Sequence, residues 1–414
     1  MNFFDELKER GLVNNVTNQQ KINTFFKEKN NRLYVGFDPS AISLHLGNYV
    51  MITLLKRFQN HGFKICAVIG GATGMIGDPS GKFSERTLLD EKQVEINTIH
   101  IKNQLISLLK DVDIFNNIEI YKSMNVIDYL RDIGKAINVN HLLEKEIIKK
   151  RLETGISYTE FSYSIIQGYD FYYLYKNKNI SLQIGGSDQW ANIVSGIDYI
   201  RKEFGDNNTA CGITINLLTK SDGSKFGKSE SGALYLDKNL TSPYEMYQFL
   251  INQSDDDIVK LLRFLSLKPL EQINALISEH QKNPSQKNAQ KELAKEIISD
   301  IHGKDEFQSV LKISECIFSN KIEELTSEEL KIAFKNVPHF NVNYDNTNIV
   351  ELLVDNKIVA SKRIARELIC GKSIYVNNKL VDSDSFLVSK KDGYGNEFSL
   401  VRKGKKNYFI VIWK

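Results

Sequence analysis

Short apolar runs alternate with helical runs through the first half of the chain. Residues 31–37 (NRLYVGF), 63–69 (FKICAVI) and 180–186 (ISLQIGG) have the apolar pattern of buried strands, and residues 47–60 and 188–204 follow a helical period. Strands separated by helices and glycine-rich turns predict an α/β fold with a Rossmann-like parallel sheet. In such sheets ligands bind at the carboxyl ends of the strands, near helix N-termini.

The pattern changes after residue 241, where successive helical runs are separated by prolines. Residues 337–349 are polar and Asn-rich, which predicts a linker. The tail then combines a helical run, SKRIARELI, with the strand-like runs SIYVNN and YFIVIW. We therefore expect four parts: a Rossmann-like domain over 1–230, an α-helical domain over 231–336, a linker over 337–349 and a small α+β domain over 350–414.

The charge of the chain is unevenly distributed. The net charge over 414 residues is only +3, but residues 351–414 hold 13 Lys and Arg against 7 Asp and Glu. The tail therefore carries +6 and the remainder −3. A basic module of this kind is either a solvated surface or a binding face for phosphate backbones.

Composition excludes several classes of protein. No run approaches the roughly 20 apolar residues that a membrane span needs, so we expect no membrane partner. The four cysteines (Cys66, Cys211, Cys316 and Cys370) lie far apart in sequence, without a CxxC pair. This spacing argues against a zinc site or a disulfide framework and is typical of a reducing cytoplasm.

The segment YVGFDPSAISLHLGN (34–48) places a histidine at the start of a helix. A strand ends near Phe37, Pro39 interrupts it, and the next helix begins near Leu46. His45 is therefore predicted at a helix N-terminus, where free amides and the helix dipole favour a phosphate. A purely structural role for this histidine remains the alternative.

The segment GGATGMIGDPSGKFSER (70–86) follows a buried strand and resembles a phosphate-binding loop. It is not a Walker A motif, because the spacing from Gly77 to Lys82 is one residue short and Phe83 replaces the Ser or Thr that holds magnesium. A tight surface turn remains the alternative.

Three polar residues share one face of the helical run YTEFSYSIIQGYDFYYLY (158–175). Tyr163, Gln167 and Asp170 are spaced four and three residues apart among aromatic and aliphatic neighbours. Buried polar groups need partners, so this row indicates either a site for an amino group and a hydroxyl or a hydrogen-bond network in the core.

Two further glycine-rich turns carry candidate ligand contacts. LQIGGSDQWANI (182–193) places Asp188 at a helix start, as an N-cap or as a ligand of a ribose hydroxyl. TKSDGSKFGKSE (219–230) carries Lys220, Lys225 and Lys228, which suit either a polyphosphate or solvent.

Taken together, these segments resemble one enzyme family. HLGN and KFGKS look like the HIGH and KMSKS signatures of class I aminoacyl-tRNA synthetases, in the right order and with 180 residues between His45 and Lys225. With YVGFDPSAISLHLGN, GGATGMIGDPSGK, TEFSYSIIQGYDF and LQIGGSDQW, they resemble the bacterial form of the tyrosyl-tRNA synthetase family. The tail SKRIARELICGKSIYVNNKLV is similar to the S-four type of RNA-binding domain.

The resemblance implies roles for the residues that hold the amino acid. Two side chains would hydrogen-bond the phenolic hydroxyl of bound L-tyrosine: Tyr34 and Asp170. Three would hold its ammonium group: Asp78, Tyr163 and Gln167. Gln189 would orient the carboxylate.

It also implies an ATP site. Residues near the nucleotide and its ribose would be Gly36, Asp38, Gly47, Gly186 and Asp188. Residues that stabilise the polyphosphate during catalysis would be Ser40, His45, Lys82, Arg86, Lys225 and Lys228. Weaker matches place Asn117 near the substrate and Lys145 near the tRNA acceptor arm.

Two positions depart from the family signatures. Asn48 replaces the last His of HIGH, and its amide can donate a hydrogen bond to a ribose oxygen as a neutral imidazole can. KMSKS reads KFGKS, which keeps both outer lysines and the Ser.

The resemblance further implies the partners. We expect ATP as a substrate, Mg²⁺ carried by the ATP phosphates, and tRNA(Tyr), with no prosthetic group, no zinc and no DNA partner. The helical domain would bind the anticodon arm, and we expect a cytoplasmic homodimer.

Four other classes share parts of this pattern. A tryptophanyl-tRNA synthetase has the same signatures but no need for the pair Tyr34 and Asp170, and usually lacks the basic tail. A nucleotidylyltransferase is much shorter. A non-catalytic RNA-binding protein would not need every catalytic position, and an S-four-tailed pseudouridine synthase would need a GRLD-like segment, which is missing here.

Overall fold

The computed structural model describes residues 1–80, 88–136, 139–143, 149, 152, 155–224, 226–229, 232–343, 346–404 and 407–414. The α-helices of these residues are α1 Phe3–Glu9, α2 Gln19–Lys27, α3 Leu46–Asn60, α4 Gly71–Ile76, α5 Glu91–Leu108, α6 Ile118–Tyr121, α7 Val126–Asp128, α8 Val139–Leu143, α9 Tyr158–Lys178, α10 Trp190–Phe204, α11 Pro243–Ile251, α12 Asp255–Leu265, α13 Leu270–Lys282, α14 Asn288–His302, α15 Lys304–Phe318, α16 Ser327–Ala333, α17 Ile349–Asp355 and α18 Lys362–Cys370. Over the same described ranges, none of these helices has the length and apolar character needed to cross a membrane.

The strands are short and fall in both halves of the chain. They are β1 Val13–Val16, β2 Arg32–Phe37, β3 Lys64–Ile69, β4 Val112–Asn116, β5 Ile180–Gly186, β6 Cys211–Ile215, β7 Lys228–Ser229, β8 Gly232–Ala233, β9 His339–Val342, β10 Thr347–Asn348, β11 Ile374–Val376, β12 Lys379–Leu380, β13 Leu387–Val388, β14 Phe398–Lys403 and β15 Asn407–Trp413.

The first half of the chain forms a six-stranded sheet in the order β1-β6-β5-β2-β3-β4. Every neighbouring pair is parallel except β1 and β6. Strands β2, β3 and β5 are buried along nearly their whole length, which explains their continuous apolar sequences. The predicted Rossmann-like parallel sheet is confirmed.

The chain divides into two compact units. Unit 1 comprises residues 1–241 and 249–301, and unit 2 comprises residues 242–248 and 302–414. The expected boundary at residue 230 differs from this division, because α12 is built into unit 1 by two buried arginines. Arg57 Nη1 donates to the Phe264 carbonyl at 2.9 Å, and Arg10 Nη1 donates to the Arg263 carbonyl at 3.3 Å.

Unit 2 contains a five-stranded sheet in the order β12-β11-β14-β15-β9, together with α17 and α18. Residues 337–349, where the sequence predicts a linker, include β9, which pairs in parallel with β15. In β9, His339 and Asn341 are exposed while Val342 is buried. Because β9 is an edge strand with one polar face, its sequence is similar to that of a polar linker. The small α+β character expected of the tail is confirmed.

Candidate active site

A cavity of about 450 Å³ lies at the carboxyl ends of β2 and β5. It brings together fifteen residues predicted from the sequence: Tyr34, Gly36, Asp38, Ser40, His45, Gly47, Asn48, Asp78, Asn117, Tyr163, Gln167, Asp170, Gly186, Asp188 and Gln189. This is the position at which parallel α/β sheets bind ligands. Lys220 is described but does not line the cavity; its ammonium lies over the Phe249 ring, 5.0 Å from the ring centre. The other candidates lie outside the described residues, either entirely (Lys82, Arg86, Lys225 and Lys145) or in their side chain (Lys228, whose backbone begins β7).

A buried carboxylate, Asp170, lies at one end of the cavity. Its Oδ1 accepts a hydrogen bond from the Tyr121 hydroxyl at 2.7 Å, and its Oδ2 accepts one from Asn117 Nδ2 at 2.9 Å. Burial raises the pKa of Asp170 to about 7, although these two hydrogen bonds oppose the rise. This end of the cavity therefore holds an acid that can accept a hydrogen bond from a ligand.

The Tyr34 hydroxyl is buried beside this acid. Burial, followed by the charge of Asp170, raises the pKa of Tyr34 well above 10.0. Within the described part of the chain, its oxygen has no hydrogen-bond partner, and neither has Oε1 of Gln183, the register neighbour of Tyr34 on β5. A buried polar atom without a partner costs about 1–3 kcal/mol. The Tyr34 hydroxyl and Gln183 Oε1 therefore suit a ligand hydroxyl that accepts one hydrogen bond and donates another.

A row of hydrogen-bond acceptors lies further along the cavity. Tyr163 donates its hydroxyl proton to Asp38 Oδ2 at 2.9 Å, which leaves the lone pairs of its oxygen for a donor. The Oε1 atom of Gln167 is buried without a hydrogen-bond partner among the described residues. With the carboxylate of Asp78, these acceptors suit a cationic amino group.

Asp38 is itself held by its neighbours. The Thr73 hydroxyl donates to Asp38 Oδ1 at 2.7 Å, at the start of α4. Gly70 allows this approach, because a Cβ on Gly70 would lie 2.1 Å from the same oxygen. Asp38 therefore orients Tyr163 directly, in addition to lying near the expected ribose site.

A second chain of hydrogen bonds links Asp78 to α9 through Gln189. Gln189 Nε2 donates to Asp78 Oδ2 at 2.8 Å, and Asn192 Nδ2 donates to Gln189 Oε1 at 3.0 Å. Ser164 then donates to Asn192 Oδ1 at 2.7 Å. The amide of Gln189 keeps a second hydrogen that can bind a ligand carboxylate. Gln189, not Asp188, occupies the cap position of α10.

The HLGN turn forms the cap of α3. Asn48 N donates to His45 Nδ1 at 3.2 Å, and His45 N donates to Asn48 Oδ1 at 3.0 Å. Because Nδ1 accepts a hydrogen bond here, the neutral imidazole carries its proton on Nε2. The substitution of Asn for the last His of the signature thus completes a reciprocal helix cap.

The two signature segments touch through glycines. Gly227 has φ +86°, and a Cβ there would lie 2.6 Å from Gly47 N. A Cβ on Gly47 would lie 2.9 Å from the His45 ring. Both positions therefore require glycine, and the KFGKS segment lies directly against the HLGN turn.

Sequence reasoning missed three residues of this site: Thr73, Tyr121 and Gln183. Gln183 had a usable signal, since it is the polar residue inside an otherwise apolar buried strand. Thr73 and Tyr121 had none, because each acts through a carboxylate far away in sequence. Over the described residues, no group of three His, Cys, Asp or Glu side chains is arranged to hold a metal ion.

Comparison with known proteins places this site in a family. The model for "tRNA synthetases class I (W and Y)" matches residues 27–319, and the model for the "Tyrosine--tRNA ligase SYY-like C-terminal domain" matches residues 329–411. The tyrosine–tRNA ligase of Ureaplasma urealyticum serovar 10 is 53% identical over 412 residues, which span 100% of this chain and 99% of that protein.

Two more distant relatives agree. Tyrosine–tRNA ligase 1 of Bacillus subtilis is 44% identical over 422 residues, spanning 100% of both chains. The structure of a C-terminally truncated mitochondrial tyrosyl-tRNA synthetase from Aspergillus nidulans matches with a TM-score of 0.67 and 30% identity, over 75% of this chain and 92% of that one. The chain therefore belongs to the tyrosine–tRNA ligase family of class I aminoacyl-tRNA synthetases.

Proposed function

We propose that this aminoacyl-tRNA synthetase activates L-tyrosine with ATP and transfers it to the 3′ end of tRNA(Tyr). In the first step a carboxylate oxygen of tyrosine attacks the α-phosphorus of ATP. The bond from that phosphorus to the bridging oxygen of the β-phosphate breaks, which gives tyrosyl-adenylate and pyrophosphate. A ribose hydroxyl of the tRNA terminus then takes the tyrosyl group and releases AMP.

The observation that carries this proposal is the pair formed by the Tyr34 hydroxyl and the Asp170 carboxylate. A phenolic hydroxyl can donate to Asp170 and accept from Tyr34, which gives the Tyr34 oxygen a partner. Phenylalanine would leave the buried Tyr34 hydroxyl without a partner. A site built to hydrogen-bond a substrate hydroxyl rejects the analogue that lacks it by about 10⁵, so no editing step is needed against phenylalanine.

The amino end of tyrosine would meet the acceptors further along the cavity. Tyr163, Gln167 and Asp78 present oxygen atoms to this region. An ammonium group has three donors and no acceptor, so it matches such a set. Gln189 would then direct its second amide hydrogen to the carboxylate that attacks ATP.

Catalysis of activation would come from positioning and charge stabilisation. The attacking carboxylate is ionised at neutral pH, so no side chain needs to act as nucleophile or general base. The proton on His45 Nε2 suits the polyphosphate. Ser40, Asn48, Lys82, Arg86, Lys225 and Lys228 would supply the other donors and charges.

The nucleotide would lie between the two glycine-rich strand ends. Gly36 and Gly186 line the cavity there, and Gly47 and Asp188 lie along the same wall. We propose that Mg²⁺ arrives on the ATP phosphates, since Asp38 and Asp78 already accept hydrogen bonds from Thr73 and Gln189.

The helices of residues 231–336 would bind the anticodon arm of the tRNA, and residues 350–414 would act as an RNA-binding module. Helix α18 presents three exposed basic side chains: Lys362, Arg363 and Arg366. Cations on one short helix suit the phosphate backbone of RNA.

We further propose a cytoplasmic homodimer. Around α7, large apolar side chains face solvent within unit 1: Val126 is 69% exposed, Ile127 64% and Leu130 52%. A patch of this kind marks an interaction surface. The four free cysteines suit a reducing compartment.

The experiment is pyrophosphate exchange into ATP with the purified protein. We expect exchange that depends on tyrosine and not on tryptophan or phenylalanine. Exchange that depends on tryptophan would indicate a tryptophanyl-tRNA synthetase instead. No exchange with any amino acid would refute the proposed activation step.

A further inference from the structure

Helix α12 holds the segment that carries the KFGKS signature by its first residues. Ser221 N donates to Asp257 Oδ1 at 2.7 Å, and the Ser221 hydroxyl lies 3.3 Å from Asp257 Oδ2. One turn further along the helix, Lys260 Nζ donates to the Thr219 carbonyl at 3.2 Å. The main chain that leads into the signature is therefore attached to the first two turns of α12.

The Asp257 carboxylate is held in place for this contact. Ser254 caps α12, and its Oγ accepts from Asp257 N at 3.1 Å. The same hydroxyl donates to Asp257 Oδ2 at 2.8 Å, so the cap fixes the carboxylate whose Oδ1 accepts from Ser221 N. A side chain bonded to its own helix cap loses little further freedom when it binds the loop.

The opposite end of α12 holds the helix that begins with HLGN. Arg57, near the end of α3, is buried, and its Nη1 and Nη2 atoms donate to the carbonyls of Phe264 and Ser266 at 2.9 and 2.5 Å. Hydrogen bonds from a buried cation to a helix C-terminus are strong. One helix of about 16 Å therefore connects the HLGN helix with the KFGKS segment.

The KFGKS segment is in tight contact with the HLGN turn. Gly227 lies against Gly47 so closely that a single added carbon would clash with Gly47 N. Phe226 N donates to the Leu218 carbonyl at 3.0 Å, and the Phe226 ring packs on Phe249 at 5.6 Å. A displacement of the loop stem would therefore move the signature relative to the HLGN turn.

We propose that Asp257 is a positioning residue for tyrosine activation, and this inference rests on the proposed function. Asp257 attaches the loop stem to α12 through Ser221 and thereby sets the place of the KFGKS segment beside the HLGN turn. The carboxylate is not among the residues that line the cavity, so it acts through the loop and not on the substrates.

The test compares Asp257→Ala with Asp256→Ala. Both variants remove one carboxylate from the first turn of α12, and Asp256 is exposed, so the second is a control for the helix dipole and net charge. In tyrosine-dependent pyrophosphate exchange, we expect Asp257→Ala to lower kcat about tenfold while the KM for tyrosine stays within about twofold. Asp257→Asn keeps an oxygen acceptor for Ser221 N and should recover most of this loss.

A second readout does not depend on activity. Trypsin can cleave after Lys220, Lys225 and Lys228, and we expect Asp257→Ala to be cut within 219–229 several-fold faster than the wild type or Asp256→Ala. Equal cleavage of the two variants, equal kcat values, or a KM for tyrosine that rises in proportion to the fall in kcat would each overturn the inference. Wild-type protein without exchange would refute the proposed function, and the cleavage rates would still decide the role of Asp257.

Discussion

Tyr163 donates its phenolic proton to Asp38 across 2.9 Å, from helix α9 to the end of strand β2. This bond determines which way the Tyr163 hydroxyl faces, because the proton points to Asp38 and the lone pairs point away from it. The side chain therefore works as an acceptor in the proposed ammonium site, and burial together with the charge of Asp38 raises its pKa well above 10.0.

Removing that acceptor should weaken the binding of tyrosine. For Tyr163→Phe we expect the Kd for tyrosine to rise about 10- to 100-fold, since hydrogen bonds to charged groups contribute about 1.5–3 kcal/mol. Calorimetric titration of the enzyme with tyrosine measures this. The matched control is Tyr175→Phe, which removes a hydroxyl from the same helix, α9, where Tyr175 bonds Thr209 instead of the cavity residues. An unchanged Kd for Tyr163→Phe would contradict the proposed ammonium site.

A methyl group at the contact of the two signatures should slow activation. Gly227→Ala places a Cβ 2.6 Å from Gly47 N, whereas Gly223→Ala, at the similar φ of +82°, meets nothing within 4 Å. Both variants strain the backbone, so their difference isolates the clash. We expect the kcat of pyrophosphate exchange to fall at least about tenfold further for Gly227→Ala, with a similar KM for tyrosine. Equal rates would show that the contact is not needed.

The pH dependence of stability should reveal the buried acid. The pKa of Asp170 is about 7 in the folded protein and near 3.9 in an unfolded chain. The folded state holds this proton more tightly, so the resulting stability is complete below about pH 4 and is lost as pH rises through about 7. Burial is the main cause of the raised pKa, and the nearby charge of Asp38 adds to it. Two buried tyrosines, Tyr34 and Tyr121, lie beside the same carboxyl group.

Asp170→Asn should remove that loss. In urea unfolding of the ligand-free protein, the free energy of unfolding of the variant should gain on that of the wild type by about 2–3 kcal/mol between pH 5 and 8. The exposed Asp206→Asn serves as a control. A difference that is constant with pH would mean that Asp170 is ionised throughout this range.

Reversing a charge on α18 should impair tRNA charging alone. Arg363→Glu changes a side chain that is 85% exposed, so the fold should be unaffected. We expect the KM for tRNA to rise and its dependence on salt to weaken, while pyrophosphate exchange stays the same. Lys27→Glu, in unit 1, controls for net charge. This variant is preferable to deletion of 350–414, which would strip Phe398, Leu400 and Ile410 from the apolar cluster that they form with α15 and α16.

A charge in the patch around α7 should dissociate the proposed dimer. Ile127→Asp places a carboxylate among side chains that would be buried between two copies. Light scattering after gel filtration should give twice the mass of one chain for the wild type and a smaller weight-average mass for the variant. Phe318→Asp, at a 95% exposed position in unit 2, is the control. A wild-type mass of one chain would refute the homodimer.

The sequence predicted the parallel sheet because β2, β3 and β5 are buried on both faces and are therefore apolar throughout. The family resemblance implied most of the cavity, including Tyr34, Asp38 and Gly186, which lie in or directly after β2 and β5, at the edge where parallel sheets bind ligands. Asn117 obeys the same rule, directly after β4, yet its role depends on Asp170, 53 residues away. Contacts of this kind depend on tertiary distance, which the local sequence does not encode.

The helices were predicted, but their membership of the two units was not. Nothing near Arg57 in the sequence indicates that its guanidinium caps a helix more than 200 residues later. Similarly, the sequence of β9 predicts a linker because only one face of this strand is apolar. In both cases the partner segment, which is remote in the chain, decides the structure.

The hydrogen bonds from Asp170 through Asn117 and Thr73 to Asp38 and Tyr163 form one continuous series. It joins the group proposed for the phenol to the group proposed for the amine. A substitution at Asp170 that admits a tyrosine analogue with a different para substituent would remove the acceptor of one Asn117 hydrogen bond. Because Asn117 shares its amide between Asp170 and Thr73, that change would also disturb the amine end. Successful redesign should therefore need a compensating substitution at Asn117 or Thr73.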